Sequence, residues 1–298
     1  MPVLASEFLQ KEVVLKLNTI FKNLYSKLLS KFTLLSIKDI DLFVIRKNLL
    51  NNFAGAWIFY TIFPELPYLK PKFKNIAQFS PVLGLIIGSI QCLIFNLLII
   101  NFWSPIASAI ICLVSGYILT GGLHIDGLMD TFDGIYANKK RKLKAMKDSR
   151  VGSFGVLAMI TFSFIQLASI IQLEKSLIYS LPICLFWGRF STLIYIEKFK
   201  YISYKSKTLS HKKYWRGLKK EAIISILFLA IIIIIDFSTS NSYKDIIKNL
   251  SILFISIFCS TQIPQILGRK LGGFNGDSCG ACIIICETTL LLTHAIFH

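Results

Sequence analysis

The segment GGLHIDGLMDTFDG, residues 121–134, carries Asp126, Asp130 and Asp133, three of the sixteen acidic residues in this 298-residue chain. Steps of four and then three place their carboxylates on one face of a helix, where mutual repulsion is costly unless a cation sits among them. Ligands of oxygen alone suit Mg²⁺ or a similarly hard ion, which is commonly shared with a phosphate group. The pattern therefore predicts metal-dependent chemistry on a phosphate ester; the competing reading is a solvated helix start with capping aspartates. His124, two residues before Asp126, could position a phosphate or serve as acid or base, because imidazole titrates near neutrality. It could equally be a structural histidine bonded to a carbonyl.

Two further segments carry candidate site residues. KDSRVGSFG, residues 147–155, offers Ser149, Arg150 and Gly152 just before an apolar run. Hydroxyls, a guanidinium and free backbone N–H groups at a helix start suit a phosphate, although Ser and Gly also cap helices routinely. LGGFNGDSCGA, residues 271–281, holds four glycines with Asn275 and Asp277. That composition describes a tight turn in which Asp277 could complete a metal shell or, with Asn275, hold a ribose or base; an ordinary turn between spans is the alternative. Arg189 and Glu287 lie inside apolar runs. Ionisable groups at membrane depth usually face a bundle interior or a site, so either can be a substrate or metal ligand or can pair with another buried group.

The elements that must position these residues are membrane spans. Hydrophobic residues make up 54% of the chain, charged residues 16%, and mean hydropathy is +0.63, beyond what a soluble domain of this size shows. The expected fold is an all-α, polytopic integral membrane bundle of about seven spans, near 82–103, 105–120, 156–173, 176–196, 222–240, 250–267 and 281–297. The stretch 53–67, broken by Pro64 and Pro67, reads as a re-entrant or interfacial piece. Threaded in order, these spans put segments 1–81, 121–155, 197–221 and 268–280 on one side. All but four of the 33 Lys and Arg residues fall there; Lys175, Lys244 and Lys248 lie opposite and Arg189 lies within a span. The positive-inside rule makes the basic side, with the N-terminus, cytoplasmic. The net charge of +17 then reflects orientation and attraction to anionic membrane lipid rather than nucleic acid.

Residues 1–50 differ in kind. Leu9, Val13, Leu17, Ile20, Leu24 and Leu28 recur at helical spacing with lysines between them, the pattern of a basic amphipathic extension on the cytoplasmic membrane surface. Residues 51–298 form the transmembrane catalytic domain. The seven cysteines are odd in number and sit mostly in apolar runs, which argues against a disulfide framework.

Taken together, GGLHIDGLMDTFDG, KDSRVGSFG and GGFNGDSCGA, at these separations in a multi-span chain, resemble the cobalamin synthase family, the adenosylcobinamide-GDP ribazoletransferases. The resemblance covers roughly residues 53–298, including Thr61, Pro64 and Pro67 of FYTIFPELP. It implies Mg²⁺-dependent joining of adenosylcobinamide-GDP to α-ribazole or its 5′-phosphate, with release of GMP, in a bacterial inner membrane with the site facing the cytoplasm. Under it, Asp126, Asp130 and His124 are the catalytic candidates and Asp126, Asp130, Asp133 and Glu287 the metal candidates. Ser149, Arg150, Gly152, Arg189, Asn275 and Asp277 are the candidates for holding substrate; a homo-oligomer is compatible with the pattern. Two departures stand out: the family often carries two glutamates three residues apart after GDxxGA, but here Ile284 precedes Glu287, and the basic N-terminal extension is additional. A CDP-alcohol phosphotransferase would need DGxxAR where this chain reads DGLMDT. A cation-coupled transporter would place its carboxylates near the bilayer midplane.

Overall fold

The computed structural model describes residues 39–202, 211–239 and 243–297, so the amphipathic pattern over residues 9–28 lies outside the described residues. The helices are α1 (Asp39–Tyr60), α2 (Ser80–Ile100), α3 (Pro105–Leu119), α4 (Leu123–Tyr136), the single turn α5 (Lys142–Ala145), α6 (Ser153–Leu173) and α7 (Leu177–Lys198). They continue with the single turn α8 (Leu218–Glu221), α9 (Ile223–Thr239), α10 (Tyr243–Leu271) and α11 (Gly276–Phe297). Among the described residues the sole β-type pairing is an isolated bridge between Tyr201 and Phe274. The protein is thus an all-α polytopic membrane bundle, and the 50/51 division falls inside α1.

The spans among the described residues approach the expected number of about seven. Among the described residues five stretches are long and apolar enough to cross a membrane: Ile76–Ile100, Ser153–Leu173, Leu177–Lys198, Ile246–Leu271 and Gly276–Phe297. Helices α3 and α4 pass the same test only as a pair, and they are bent by 85°, so the total is six if the pair counts as one span. With 15 residues, α3 reaches only about 22 Å of the roughly 30 Å hydrocarbon layer. The chain then turns at Gly121 and Gly122, whose φ values of 60° and 71° would strain a residue with a side chain. Helix α4 leaves at nearly a right angle to α3 and does not continue its crossing. The expected span 222–240 corresponds to α9 (Ile223–Thr239).

At the centre stands α7, packed against α2, α10 and α11. Close approach is licensed by Gly84 and Gly88 on α2, a small-xxx-small pair of the kind that lets membrane helices touch. A Cβ on Gly84 would lie 2.4 Å from the Leu185 carbonyl oxygen, and one on Gly88 2.6 Å from Cα of Pro182. Apolar side chains of α7 and α11, among them Leu181, Phe186, Trp187, Leu290 and Leu291, fill the core. All seven cysteines are unpaired, and six of them are buried.

Three contacts gather the polar loops at one end of the bundle. Lys147 Nζ lies 3.2 Å from Asp277 Oδ2, Lys142 Nζ donates to the Lys270 carbonyl at 2.6 Å, and the Ile202 amide donates to the Phe274 carbonyl at 2.8 Å. The segments after α3, α7 and α10 therefore share a surface, as threading by charge requires.

Candidate active site

The site begins where α4 and α11 touch. A Cβ on Gly127 would stand 2.6 Å from the Asp277 carbonyl oxygen, and one on Gly280 3.1 Å from the Cα and oxygen of His124. These two glycines let the backbones meet, which sets Asp277, in the first turn of α11, beside the acidic face of α4. Asn275 fixes the start of α11. Its Oδ1 accepts from the Ser278 amide at 2.8 Å, while Ser278 Oγ accepts from the Asn275 amide at 2.9 Å, a reciprocal cap. Asn275 Nδ2 also donates to Asp277 Oδ2 at 3.0 Å. Asn275 thus orients the carboxylate from beneath.

Above this contact lies a cavity of about 280 Å³ whose polar walls are Asp126, Asp130, Asp133, Lys147, Asp148, Ser149 and Arg150. Burial, then repulsion from Asp277 and Asp126, outweighs the attraction of Lys147 and pushes the Asp130 carboxyl from 3.8 up to about 6. Because the folded state holds this proton more tightly, ionising Asp130 costs stability as pH rises from about 4 to about 6. Thermal denaturation of metal-free protein is expected to show that loss in the parent and not in Asp130→Asn. Arg150 is exposed and clamps Asp148, with Nε to Oδ1 at 3.0 Å and a terminal nitrogen to Oδ2 at 2.7 Å. That clamp holds the Asp148 carboxyl well below its usual range.

Asp133 has a different task. Its Oδ2 accepts from the Gly152 amide and its Oδ1 from the Gly155 amide, both at 2.8 Å. Gly152 occupies the N-cap of α6 and has no side chain with which to cap it, so a residue on another helix performs the cap. A Cβ on Gly152 or Gly155 would fall 2.3 Å or 2.6 Å from that carboxylate, which explains both glycines. The Gly152 amide, expected to bind phosphate, instead bonds to Asp133, and each oxygen of Asp133, expected on a metal, accepts one amide and keeps a free lone pair. Asp133→Ala is expected to lose about 3 kcal/mol, since bonds to charged groups contribute roughly 1.5–3 kcal/mol each and this carboxylate is partly exposed. Calorimetry should show that loss in Asp133→Ala and none in Asp130→Asn.

Beneath the α4–α11 contact is a second, smaller chamber of about 30 Å³, lined by Gln91, Tyr117, His124, Gln166, Arg189 and Glu287. It is large enough for a water molecule. A terminal nitrogen of Arg189 donates to Glu287 Oε1 at 2.5 Å, with the two side chains 2% and 7% exposed. Gly188 makes room, since a Cβ there would lie 2.3 Å from Glu287 Cγ. His124 Nε2 is buried with no hydrogen-bond partner among the described residues. Burial, aided by the Arg189 charge, holds its pKa well below the ordinary value, leaving a neutral ring at pH 7.

The sequence candidates thus fall into two groups. Asp126, Asp130, Asp133, Ser149 and Arg150 line the outer cavity, with Asp277 beside it, whereas His124, Arg189 and Glu287 line the inner chamber. Among the described residues no three His, Cys, Asp or Glu side chains already converge as a metal cage. In the sequence Lys147 carries no signal beyond its positive charge; its place between two functional segments becomes visible once Asp277 is located. Gln91, Tyr117 and Gln166 had a fainter signal, as polar residues inside apolar runs.

No solved structure matches the chain. An adenosylcobinamide-GDP ribazoletransferase of Prochlorococcus marinus is 38% identical over 250 residues, covering 84% of this chain and 96% of that protein. Proteins of the same name from a Synechococcus strain and from Brevibacillus brevis are 31% and 30% identical over 256 and 252 residues. These cover 84% and 82% of this chain, and 98% and 97% of the relatives. The family model for cobalamin-5-phosphate synthase matches residues 52–295, a stretch that begins in α1 and includes every residue of both cavities, and the chain therefore belongs to the cobalamin-5-phosphate synthase family.

Proposed function

We propose that this protein transfers the adenosylcobinamide phosphate group from adenosylcobinamide-GDP to α-ribazole or its 5′-phosphate, releasing GMP and forming adenosylcobalamin or its phosphate. The observation that carries this reading is the meeting of Asp126 and Asp130 with Asp277, from two helices, at a cavity rimmed by Lys147 and Arg150, in a chain of this family. A ribazole hydroxyl oxygen forms a bond to the cobinamide-bearing phosphorus, the P–O bond to the GMP phosphate breaks, and the hydroxyl proton must leave.

Mg²⁺ fits the donor set. It is typically held by one or two carboxylates together with substrate phosphates rather than by an all-protein cage, which suits acidic residues that crowd one another without forming a cage on their own. Asp126 and Asp277 are the residues that would hold it. When bound, the ion would neutralise charge developing on the leaving phosphate. Asp130, on the same face of α4 as Asp126 and lining the same cavity, is the group left to receive the hydroxyl proton. Lys147 and Arg150 stand ready to exchange their carboxylate partners for substrate phosphates. In this reading His124 and the Arg189–Glu287 pair support α4 and α11 from below.

The basic loops argue for a cytoplasm-facing site in a bacterial inner membrane. The test is GMP release from adenosylcobinamide-GDP by purified protein in detergent, with α-ribazole or its 5′-phosphate and Mg²⁺. Nucleoside-dependent release without any membrane gradient supports the reading. No release by well-folded protein with either nucleoside overturns it.

A further inference from the structure

At the end of the bundle away from the aspartates, α7, α9, α10 and α11 line an open cavity of about 230 Å³. This is larger than a cavity of roughly 150 Å³ that accommodates benzene. Its inner wall is apolar, with Trp187 on α7, Ile233 on α9 and Leu253 on α10, while Lys248 and His294 supply polar groups. Lys248 is one of the three lysines that charge threading leaves on the side opposite the catalytic loops. Within the described residues it has no carboxylate partner. The imidazole of His294 is 7% exposed, and its Nε2 has no hydrogen-bond partner among the described residues. Burying such a polar atom unpaired is costly, and a lysine between spans usually marks a ligand or counter-charge.

The faces around the cavity belong to the lipid-facing surface. Ile178, Ile231, Phe254 and Ile257, from three of the same helices, are exposed, as expected where helices meet hydrocarbon. A ligand entering here arrives from the membrane, and the lining calls for an apolar chain joined to an anionic acceptor.

We infer that this cavity binds an anionic phospholipid, with an acyl segment against Trp187, Ile233 and Leu253 and the headgroup phosphate on Lys248 and His294. The bound lipid fastens α9 and the beginning of α10 to the α7–α11 core. The site is separate from the aspartate cavity and does not rest on the transfer reaction.

The test uses full-length, delipidated protein in a neutral detergent, with phosphatidylglycerol, phosphatidylcholine or inorganic phosphate added. Native mass spectrometry counts bound lipid, and thermal denaturation reads stabilisation. One retained phosphatidylglycerol and a raised midpoint are expected, with Lys248→Gln weakening that binding at least about tenfold, a charge-assisted contact being lost. Ile233→Trp, which fills the cavity, should abolish retention while GMP release continues in both variants. Equal stabilisation by phosphatidylcholine, equal stabilisation by inorganic phosphate, or undiminished phosphatidylglycerol binding in both variants would overturn the inference.

Discussion

Asp130→Asn is expected to yield a folded protein that releases GMP about 10²–10⁴-fold more slowly, the span that a positioned general base contributes. The variant is nearly isosteric and removes a charge that Asp277 and Asp126 disfavour, so the fold gains from the change if anything. Its defect should lie in kcat, with the apparent affinity for adenosylcobinamide-GDP nearly unchanged, because the lost group acts on the hydroxyl proton. A fall in substrate affinity with kcat intact would instead make Asp130 a binding residue. Single-turnover measurement separates the two outcomes.

The second large effect concerns the chamber below. Glu287→Leu leaves the Arg189 guanidinium buried without its partner, and breaking a buried ion pair from one side typically costs about 3–5 kcal/mol. The loss is expected as a lower denaturation midpoint and poor recovery from the membrane. Replacing both partners, as in Arg189→Met with Glu287→Leu, should recover most of that loss, since apolar groups of similar volume often substitute for such a pair at little cost. Strictly additive losses in the double variant would show that each residue acts alone. A double variant that is stable but inactive would place Arg189 or Glu287 in the chemistry rather than in support of α4 and α11.

Much of this arrangement was legible in the sequence because it is local. Spacing along α4 predicted one acidic face, and the glycines around Asp277 predicted a turn that returns a carboxylate to the membrane boundary. Apolar runs located the spans, whereas the bend of 85° between α3 and α4 leaves no mark on hydropathy. What stayed hidden depends on tertiary contact. Asp133 lies 19 residues from the Gly152 amide it accepts, and its capping task cannot be told from metal binding by spacing alone. Glu287 lies 98 residues from Arg189; each signals a buried charge, but only the α7–α11 packing makes them partners. One glycine pair was legible in principle, since Gly84 with Gly88 carries the small-xxx-small spacing, whereas Gly152 with Gly155 makes sense only after Asp133 is in view.

The most direct test of the account is metal binding to the aspartate face, followed with Mn²⁺ as a spectroscopically visible substitute for Mg²⁺. Electron paramagnetic resonance titration of the purified protein should show bound Mn²⁺ that tightens when adenosylcobinamide-GDP is added. Affinity should weaken at least about tenfold in Asp126→Asn and in Asp277→Asn, as expected when a coordinating residue is lost, and should hold in Glu287→Gln. Undiminished Mn²⁺ binding in both aspartate variants would contradict the claim that these two helices meet in order to hold the metal.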